Sequence, residues 1–508
     1  MSPKPPKLVL CVIDAMAPAM LERAVEEGAA PVLGTLIERG RYVPDCVAAF
    51  PSVTPVCAAS IVTGVGQDEH RVPGMNWFHR EEDRYIEYGS SFRSAQRFGI
   101  TRQLTDTVYN MNRAHLSAQT LTVFESLDDA DVRTAGTTYL MYRGRHLHEP
   151  QRGTALERVA SALMRHPVMG PRELFYADIF ASRRTGCRSG LGMPGVRDRH
   201  SGCVSEYMVE HDLFDFLLLS LPDNDWYSHK HGPDAQLQSI AQADLQLARV
   251  CEAAGGVDRF LQEHAMIVMA DHSQAPVTDT IALQDELAEL GVLAPSRSPG
   301  SERGEEPRIA VCPSQRAAMV YALHEPERDA MRASVVTRAL TIEGVEHVMW
   351  LARDAHDVPI EGIISSPAHG ELRFRPGGPL RDPRGLRWSI DGPPVAIDGQ
   401  IDGERLLTPS YPDVLARVWA ALTCPSSGEV LLSAAPGYEF LDWGRQAHVG
   451  GGSHGSLHAS DSLGALVFCG VELPQPEPAQ WAIRDIAPIV LEHFGLAGSG
   501  TQERAAAT

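Results

Sequence analysis

The sequence contains no CxxC pair, no long basic run, no apolar stretch long enough to span a bilayer, no internal repeat and no long low-complexity segment. Each absence removes a class of function. With no basic run and a formal net charge of −20 at pH 7, the chain is not expected to bind a nucleic-acid polymer or an anionic membrane. A small phosphate-bearing substrate stays open, because bound metal ions would set the local potential. The nine cysteines are scattered and odd in number, which resembles neither a disulfide framework nor a zinc ribbon. Most, among them Cys11, Cys57, Cys203, Cys251 and Cys469, are expected as buried thiols in a reducing compartment. The apolar run in MSPKPPKLVLCVIDAM is short for a signal-peptide core and ends in Asp14. It is expected as the first strand of a soluble, cytoplasmic protein.

What is present is ordinary globular material. The 508 residues are 44% hydrophobic and 22% charged, enough for several domains or one large α/β domain with insertions. The most informative stretch is MIVMADHSQAPV, Met266 to Val277. An apolar strand-like run ends abruptly in Asp271-His272. An acid and an imidazole at the end of a buried strand are costly unless paired. In open α/β sheets that end is where ligands bind. A divalent metal would account for both residues, and a solvated turn is the alternative.

Further strands are expected at Lys7 to Ile13, ending in Asp14, and at Phe214 to Leu221, running into PDNDWYSHKHGP with Asp225 and His229. Helices are expected at Ala17 to Gly28, Ala30 to Arg39, Val56 to Thr63, Leu121 to Ser126, Ala235 to Glu252 and Trp481 to Phe494. Arg41 to Ala49 reads as extended, Val132 to Tyr142 and Ala465 to Cys469 as strands. Residues 85–119 are poorly patterned and 143–204 irregular. Before Pro55, Thr54 is expected as a helix N-cap, beside free N–H groups and a positive dipole end. That suits an ordinary cap, and it suits a nucleophile attacking a phosphoryl group. The late loop HVGGGSHGSLH brings His448, His454 and His458.

Of Asp14, Thr54, Asp225 with His229, Asp271 with His272, and His454, most follow or precede expected strands of one sheet, so they can converge at its edge. Three Asp, three His and one hydroxyl match two adjacent metal ions, each with an open position. Two ions roughly 4 Å apart clamp the entering and leaving oxygens of a phosphoryl displacement, and a metal-bound hydroxyl ionises readily.

The ordered motifs VIDAM (Val12 to Met16), FPSVTPVCAASIVTG (Phe50 to Gly64), DWYSHKHGP (Asp225 to Pro233), ADH (Ala270 to His272) and GGSHG (Gly451 to Gly455) resemble the alkaline phosphatase superfamily, closest to its type I phosphodiesterase/nucleotide pyrophosphatase branch. The resemblance implies that Asp14, Thr54, Asp271 and His272 hold one metal and Asp225, His229 and His454 the other. It implies that Thr54 is the nucleophile and becomes phosphorylated, that the second metal activates the water that cleaves this intermediate, and that Asn76 helps hold the phosphoryl oxygens. Two divalent ions are expected, zinc first, with manganese or iron as alternatives. The chain departs from the family pattern at Ser273-Gln274, where relatives carry Gly-Met, and at His231, where Tyr is frequent. Asp223 and His458 are rival ligands, and His70, His231 and His448 are expected as loop or supporting residues. Trp77, Phe78 and Trp226 are either packing or the lining of an aromatic pocket.

The expected architecture is α/β: an alkaline-phosphatase-like core of residues 1–277 and 438–508, with a mostly parallel central sheet flanked by helices. An inserted smaller α+β subdomain, 278–437, would shape substrate choice. The expected activity is metal-dependent hydrolysis of a small phosphodiester or nucleotide pyrophosphate. The alternatives are a phosphomonoesterase, a phosphonate or sulfate ester hydrolase, a metal-dependent mutase, or a catalytically dead binding protein that keeps the fold. Oligomeric state is open.

Overall fold

Lys7–Ile13, Phe216–Leu221 and His264–Met269 are short apolar runs buried along almost their whole length, as strands covered on both faces must be. In the computed structural model, which describes residues 5–151, 165–190, 192–295 and 306–496, they lie side by side and parallel. Lys7–Ile13 is the middle strand, with Ile13 level with Leu221 and Val12 level with Met269. Three chain exits therefore open at one sheet edge, about 4.8 Å apart per strand. They lead into Asp14, the 223–231 segment and Asp271.

The whole sheet has eight strands, in the order Arg41–Val47, Leu463–Cys469, His264–Met269, Lys7–Ile13, Phe216–Leu221, Thr134–Gly136, Glu173–Tyr176, Phe180–Ala181. Leu463–Cys469 runs antiparallel to both neighbours. Its starting end, reached from the glycine-rich His loop, thus faces the same edge. Arg41–Val47 points back along the parallel set and delivers the chain toward Thr54 at that edge. Strand direction alone brings five distant sequence segments together.

Alternation along Lys7–Ile13 splits the interior in two. Leu8, Leu10 and Val12 join one apolar cluster with the Thr54–Thr63 and Ile486–His493 helices. Val9, Cys11 and Ile13 join the other, with Pro18–Glu26, Pro31–Arg39, Arg197–Glu210 and Gln236–Glu252. The Pro31–Arg39 helix has no cap of its own. The buried Asp244 carboxylate accepts from its first amides, Val32 N at 3.2 Å and Leu33 N at 2.7 Å.

Segment 278–437 contains a second, nine-stranded sheet with neighbours mostly antiparallel, and the helices Arg328–Ala339 and Val414–Thr423. It is not separated from the core by a polar seam: Met319, Tyr321, Met349 and Phe374 share one apolar cluster with Phe50, Phe78 and Leu466. The hairpin of Ile309–Ser314 and Ala317–Ala322 turns over the His454 loop, where Arg316 N donates to His454 O at 2.9 Å.

Several expectations need correction. Thr54 is the first residue of its helix, with extended Val53 in the capping position, because Pro55 sits well only in the first turn. Residues 143–204 are not irregular throughout; they supply the edge strands Glu173–Tyr176 and Phe180–Ala181 and the start of the Arg197–Glu210 helix. The 85–119 stretch holds two short helices and a π-helical turn, Asp106–His115, whose odd period hides it from a 3.6-residue reading. The strand expected over Val132 to Tyr142 shrinks to Thr134–Gly136. The closing helix starts at Ile486, not Trp481, since Asp485 turns back to accept from Ala482 N. Cys203 is not a free thiol: it is disulfide-bonded to Cys187, and the other seven cysteines are free and buried. Most of the Ser296 to Pro307 loop and the tail from Ala497 lie outside the described residues. Among the described residues no helix is long and apolar enough to cross a membrane.

Asp244→Ala leaves two buried helix-start amides without an acceptor. The expected cost is about 1–3 kcal/mol of unfolding free energy with catalysis unaffected, read as a lower denaturant midpoint at constant slope.

Candidate metal centre

Asp14, Thr54, Asp225, His229, Asp271, His272 and His454 converge at the edge described above. His272 Nε2 lies 3.6 Å from Asp14 Oδ1, 3.4 Å from Asp271 Oδ2 and 3.3 Å from Thr54 Oγ1. Asp225 Oδ2 is 3.3 Å from His229 Nε2, and its Oδ1 is 3.5 Å from His454 Nε2. Two sets of potential ligand atoms, Asp14/Asp271/His272 and Asp225/His272/His454, each fall within 4.8 Å of one another. They share His272, so the two sets are contiguous, and the rings of His272 and His454 stack at 3.8 Å. Asp225 and His229 are one turn apart on the Asp223–His231 helix and so face the same way.

The histidines are oriented from behind. Each Nδ1 faces a backbone carbonyl: His229 to Gly452 O at 2.8 Å, His272 to Ser273 O at 3.1 Å, His454 to Ser52 O at 2.6 Å. A carbonyl only accepts, so Nδ1 carries the hydrogen and each Nε2 lone pair is turned inward, as metal-ligating imidazoles are held. The inward atoms are thus all electron-pair donors facing one another. Asp14 Oδ1 and Asp271 Oδ2 are buried and accept no hydrogen bond. That arrangement is unfavourable by itself and fits divalent cations.

The electrostatics express the same crowding. Burial, then the neighbouring charges of Asp271 and Asp225, push the Asp14 carboxyl well above the usual carboxylate range. Burial also opposes the charge on Asp225, but His229, His454 and His272 outweigh it and hold that carboxyl well below its ordinary value. Burial opposes protonation of His229 too, yet Asp225 raises it. Burial and the adjacent His272 push His454 well below the ordinary imidazole value.

Thr54 is locked to this cluster through Ser52. Besides receiving His454 Nδ1–H on its carbonyl, Ser52 accepts from Gly455 N on Oγ at 3.0 Å, donates Oγ to Ser456 O at 3.1 Å, and donates its amide to Gly455 O at 3.3 Å. Gly455 has φ +119°, and a Cβ there would stand 2.9 Å from Ser314 O, so only glycine fits. Asn76 is buried, donates Nδ2 to Ile86 O at 2.8 Å and leaves Oδ1 unpartnered; it makes no hydrogen bond to the seven clustered residues.

The rival ligands are otherwise engaged. Asp223 is bound to Arg197 Nε at 2.9 Å and to Gly195 N and Asp198 N. His458 caps the Ala459–Ser462 turn through Ser460. His70 bonds Ser60 Oγ, and burial lowers it to about 3. His231 packs on Tyr227. His448 stacks on His229 at 4.0 Å and is tied to Glu439 at 2.8 Å. Trp77 and Phe78 are core residues, whereas Trp226 is 38% exposed. Sequence reasoning missed three supporting residues. Gln274, at the Ser-Gln departure, donates to the Asp225 carboxylate and, at 3.2 Å, to Asp225 O. Glu439 gathers His448 and Ser453 Oγ. Arg316, fully buried, pairs with Asp461 at 3.0 Å and fastens the hairpin to the His454 loop. Of the three, only Gln274 left a signal, as an amide where relatives carry Met.

A sequence model of type I phosphodiesterase / nucleotide pyrophosphatase matches residues 8–359. No match is found among curated proteins. Among solved structures, phosphonoacetate hydrolase from Sinorhizobium meliloti 1021, in complex with phosphonoformate, is similar at 16% identity and TM-score 0.54, covering 98% of this chain and 96% of that one. Murine ectonucleotide pyrophosphatase/phosphodiesterase 5, an inactive form in complex with AMP, is similar at 11% identity and TM-score 0.56, covering 97% and 95%. The human counterpart is similar at 12% identity and TM-score 0.54, covering 96% and 95%.

Asp14→Asn removes one charge from a crowded buried set. Metal-free Asp14→Asn protein is expected to be more stable than metal-free wild type, by about 0.5–2 kcal/mol, and to gain less stability on adding zinc. Scanning calorimetry with and without chelator reads both; a lower melting temperature for the metal-free variant would contradict the charge-crowding argument.

Proposed function

The chain belongs to the type I phosphodiesterase/nucleotide pyrophosphatase family and is a phosphoric-ester hydrolase of that type; on that footing we propose that it cleaves a small phosphodiester or nucleotide pyrophosphate, with Thr54 as nucleophile beside two divalent ions. The observation that carries the proposal is Thr54 Oγ1 at a helix start, 3.3 Å from His272 Nε2 and among two contiguous acid-and-imidazole sets.

Asp14, Thr54, Asp271 and His272 would hold one ion, and Asp225, His229 and His454 the other. Three imidazoles beside carboxylates favour zinc, with manganese or iron as alternatives. When bound, such a pair neutralises charge on the phosphoryl oxygens and lowers the pKa of the hydroxyl and water it meets.

The chain's own residues do the rest. Ser52 fixes the approach of Thr54 through four hydrogen bonds to the His454–Ser456 loop. Thr54 Oγ1 attacks phosphorus, the alcohol or phosphate leaving group departs, and water then hydrolyses the phosphothreonine. The positive dipole end of the Thr54–Thr63 helix favours the developing negative charge, although Val56 N and Cys57 N are taken by Val53 O at 3.0 Å. Asn76 is assigned the holding of a phosphoryl oxygen through the amide hydrogen that Ile86 does not take. Segment 278–437 is assigned substrate choice, its hairpin turn placing Gln315 Nε2 3.5 Å from His229 Nε2.

AMP in the murine neighbour supports a nucleotide-sized substrate. Phosphonoformate in the Sinorhizobium neighbour favours a second reading, hydrolysis of a phosphonate or phosphomonoester at the same Thr54. Bis-p-nitrophenyl phosphate and p-nitrophenyl phosphate, compared at equal concentration on metal-loaded protein, separate the two: preference for the diester is expected, and preference for the monoester selects the second.

Thr54→Ala is expected to lower turnover by more than about 10³-fold while metal content by elemental analysis stays near wild type. Appreciable residual turnover would remove Thr54 as nucleophile. Asp271→Ala is expected to lose metal and activity together, and retention of both ions would overturn the ligand assignment.

A further inference from the structure

A cavity lies at the far edge of the core sheet, beside Glu173–Tyr176, three strands from Lys7–Ile13 and so about 14 Å away at ~4.8 Å per strand. Its volume is about 450 Å³, within the range of small-molecule sites. Phe175, Ala177 and Ala181 give it an apolar wall, and Arg184, Arg188 and His200 line the rest.

The charges there are not balanced. Arg183 is taken up by Glu173, at 2.6 to 3.0 Å. Arg184 and Arg188, both exposed, make no ion pair or side-chain hydrogen bond among the described residues. The carboxylate lining the cavity, Asp178, is engaged by Ser189 N at 3.0 Å. Two guanidiniums without a partner among the described residues are notable in a chain of net charge −20. His200 is 4% exposed, and its Nδ1 has no hydrogen-bond partner. A buried ring nitrogen without a partner is costly, and the His200 ring forms part of the cavity wall.

The two walls are tied covalently. The arginines belong to the loop RRTGCRSG, residues 183–190, and His200 to the Arg197–Glu210 helix. Cys187 of the loop is bonded to Cys203, one turn beyond His200 on that helix, with Cα atoms 5.8 Å apart.

We propose that this cavity binds a small organic anion, its carboxylate or phosphate held by Arg184, Arg188 and His200 and its apolar body lying on Phe175, Ala177 and Ala181, with the Cys187–Cys203 bond keeping the two walls in register. Guanidinium forks match both carboxylate and phosphate, so the shared chemistry is an oxyanion on an apolar body. The site needs no contribution from Thr54 or the metal ligands.

The test is calorimetric titration of the full, oxidised chain with phthalate and with phenylphosphonate. At least one is expected to bind; phthalate marks a carboxylate ligand and phenylphosphonate a phosphate-type ligand. Arg184→Ala/Arg188→Ala is expected to weaken that binding at least about tenfold, as loss of charge-assisted hydrogen bonds does, while hydrolysing bis-p-nitrophenyl phosphate at the wild-type rate. His200→Phe and reduction with dithiothreitol are each expected to weaken it. No binding of either probe by wild type, or equal affinity in the double variant, would overturn the proposal. Unchanged affinity after reduction would overturn the part assigned to the disulfide.

Discussion

Three buried or nearly buried carboxylates and three inward-turned imidazoles face one another at one sheet edge, and the rest of the structure is arranged around that unfavourable fact. Asp14 and Asp271 each keep an oxygen that accepts no hydrogen bond from the described residues. In their neutral form the Nε2 atoms of His229, His272 and His454 do not relieve them, because backbone carbonyls hold the hydrogen on the far nitrogen of each ring. Such an edge persists only because the surrounding structure over-determines it. Asp271 Oδ1 receives Ala15 N at 3.2 Å and His272 N at 3.0 Å, Asn224 Nδ2 holds the Asp14 carbonyl at 2.8 Å, and Gln274 holds Asp225. The groups that crowd one another here are of the kind that suits divalent cations.

The second constraint is that Thr54 must be held at this edge from a separate stretch of chain. It is held there through the Ser52 clasp, and the clasp in turn needs Gly455 and the hairpin above it. Arg316, entirely buried, links that hairpin to Asp461, and the equally buried Arg417 spans Ala49 O, Leu457 O and Ser462 Oγ. The second sheet therefore braces the loop that carries His454, through Arg316 N on the His454 carbonyl at 2.9 Å. A large antiparallel insert sharing one apolar cluster with the core suits that role better than a hinged appendage would.

Much of this was legible because strand ends are legible. The apolar runs Lys7–Ile13, Phe216–Leu221 and His264–Met269 stop at acids, and parallel pairing does the rest. The seven residues that gather at this edge could be named from motif order alone. What could not be read were residues acting through distant partners. Arg316 meets Asp461 across 145 positions of sequence, with no periodicity to announce it. The Cys187–Cys203 bond joins a glycine-punctuated loop to a helix of mixed polarity, neither of which carries a clear pattern, and the scattered cysteine count pointed the other way. Thr54 was placed one residue too early because Pro55 is tolerated at either of the first two helical positions.

The most direct test of the account is an acid quench of metal-loaded protein during turnover of a diester, followed by mass spectrometry of the peptide containing Thr54. The account predicts one phosphoryl group on Thr54, absent when metal is withheld. Steady turnover with Thr54 unmodified, or with the phosphoryl group on another residue, would contradict it.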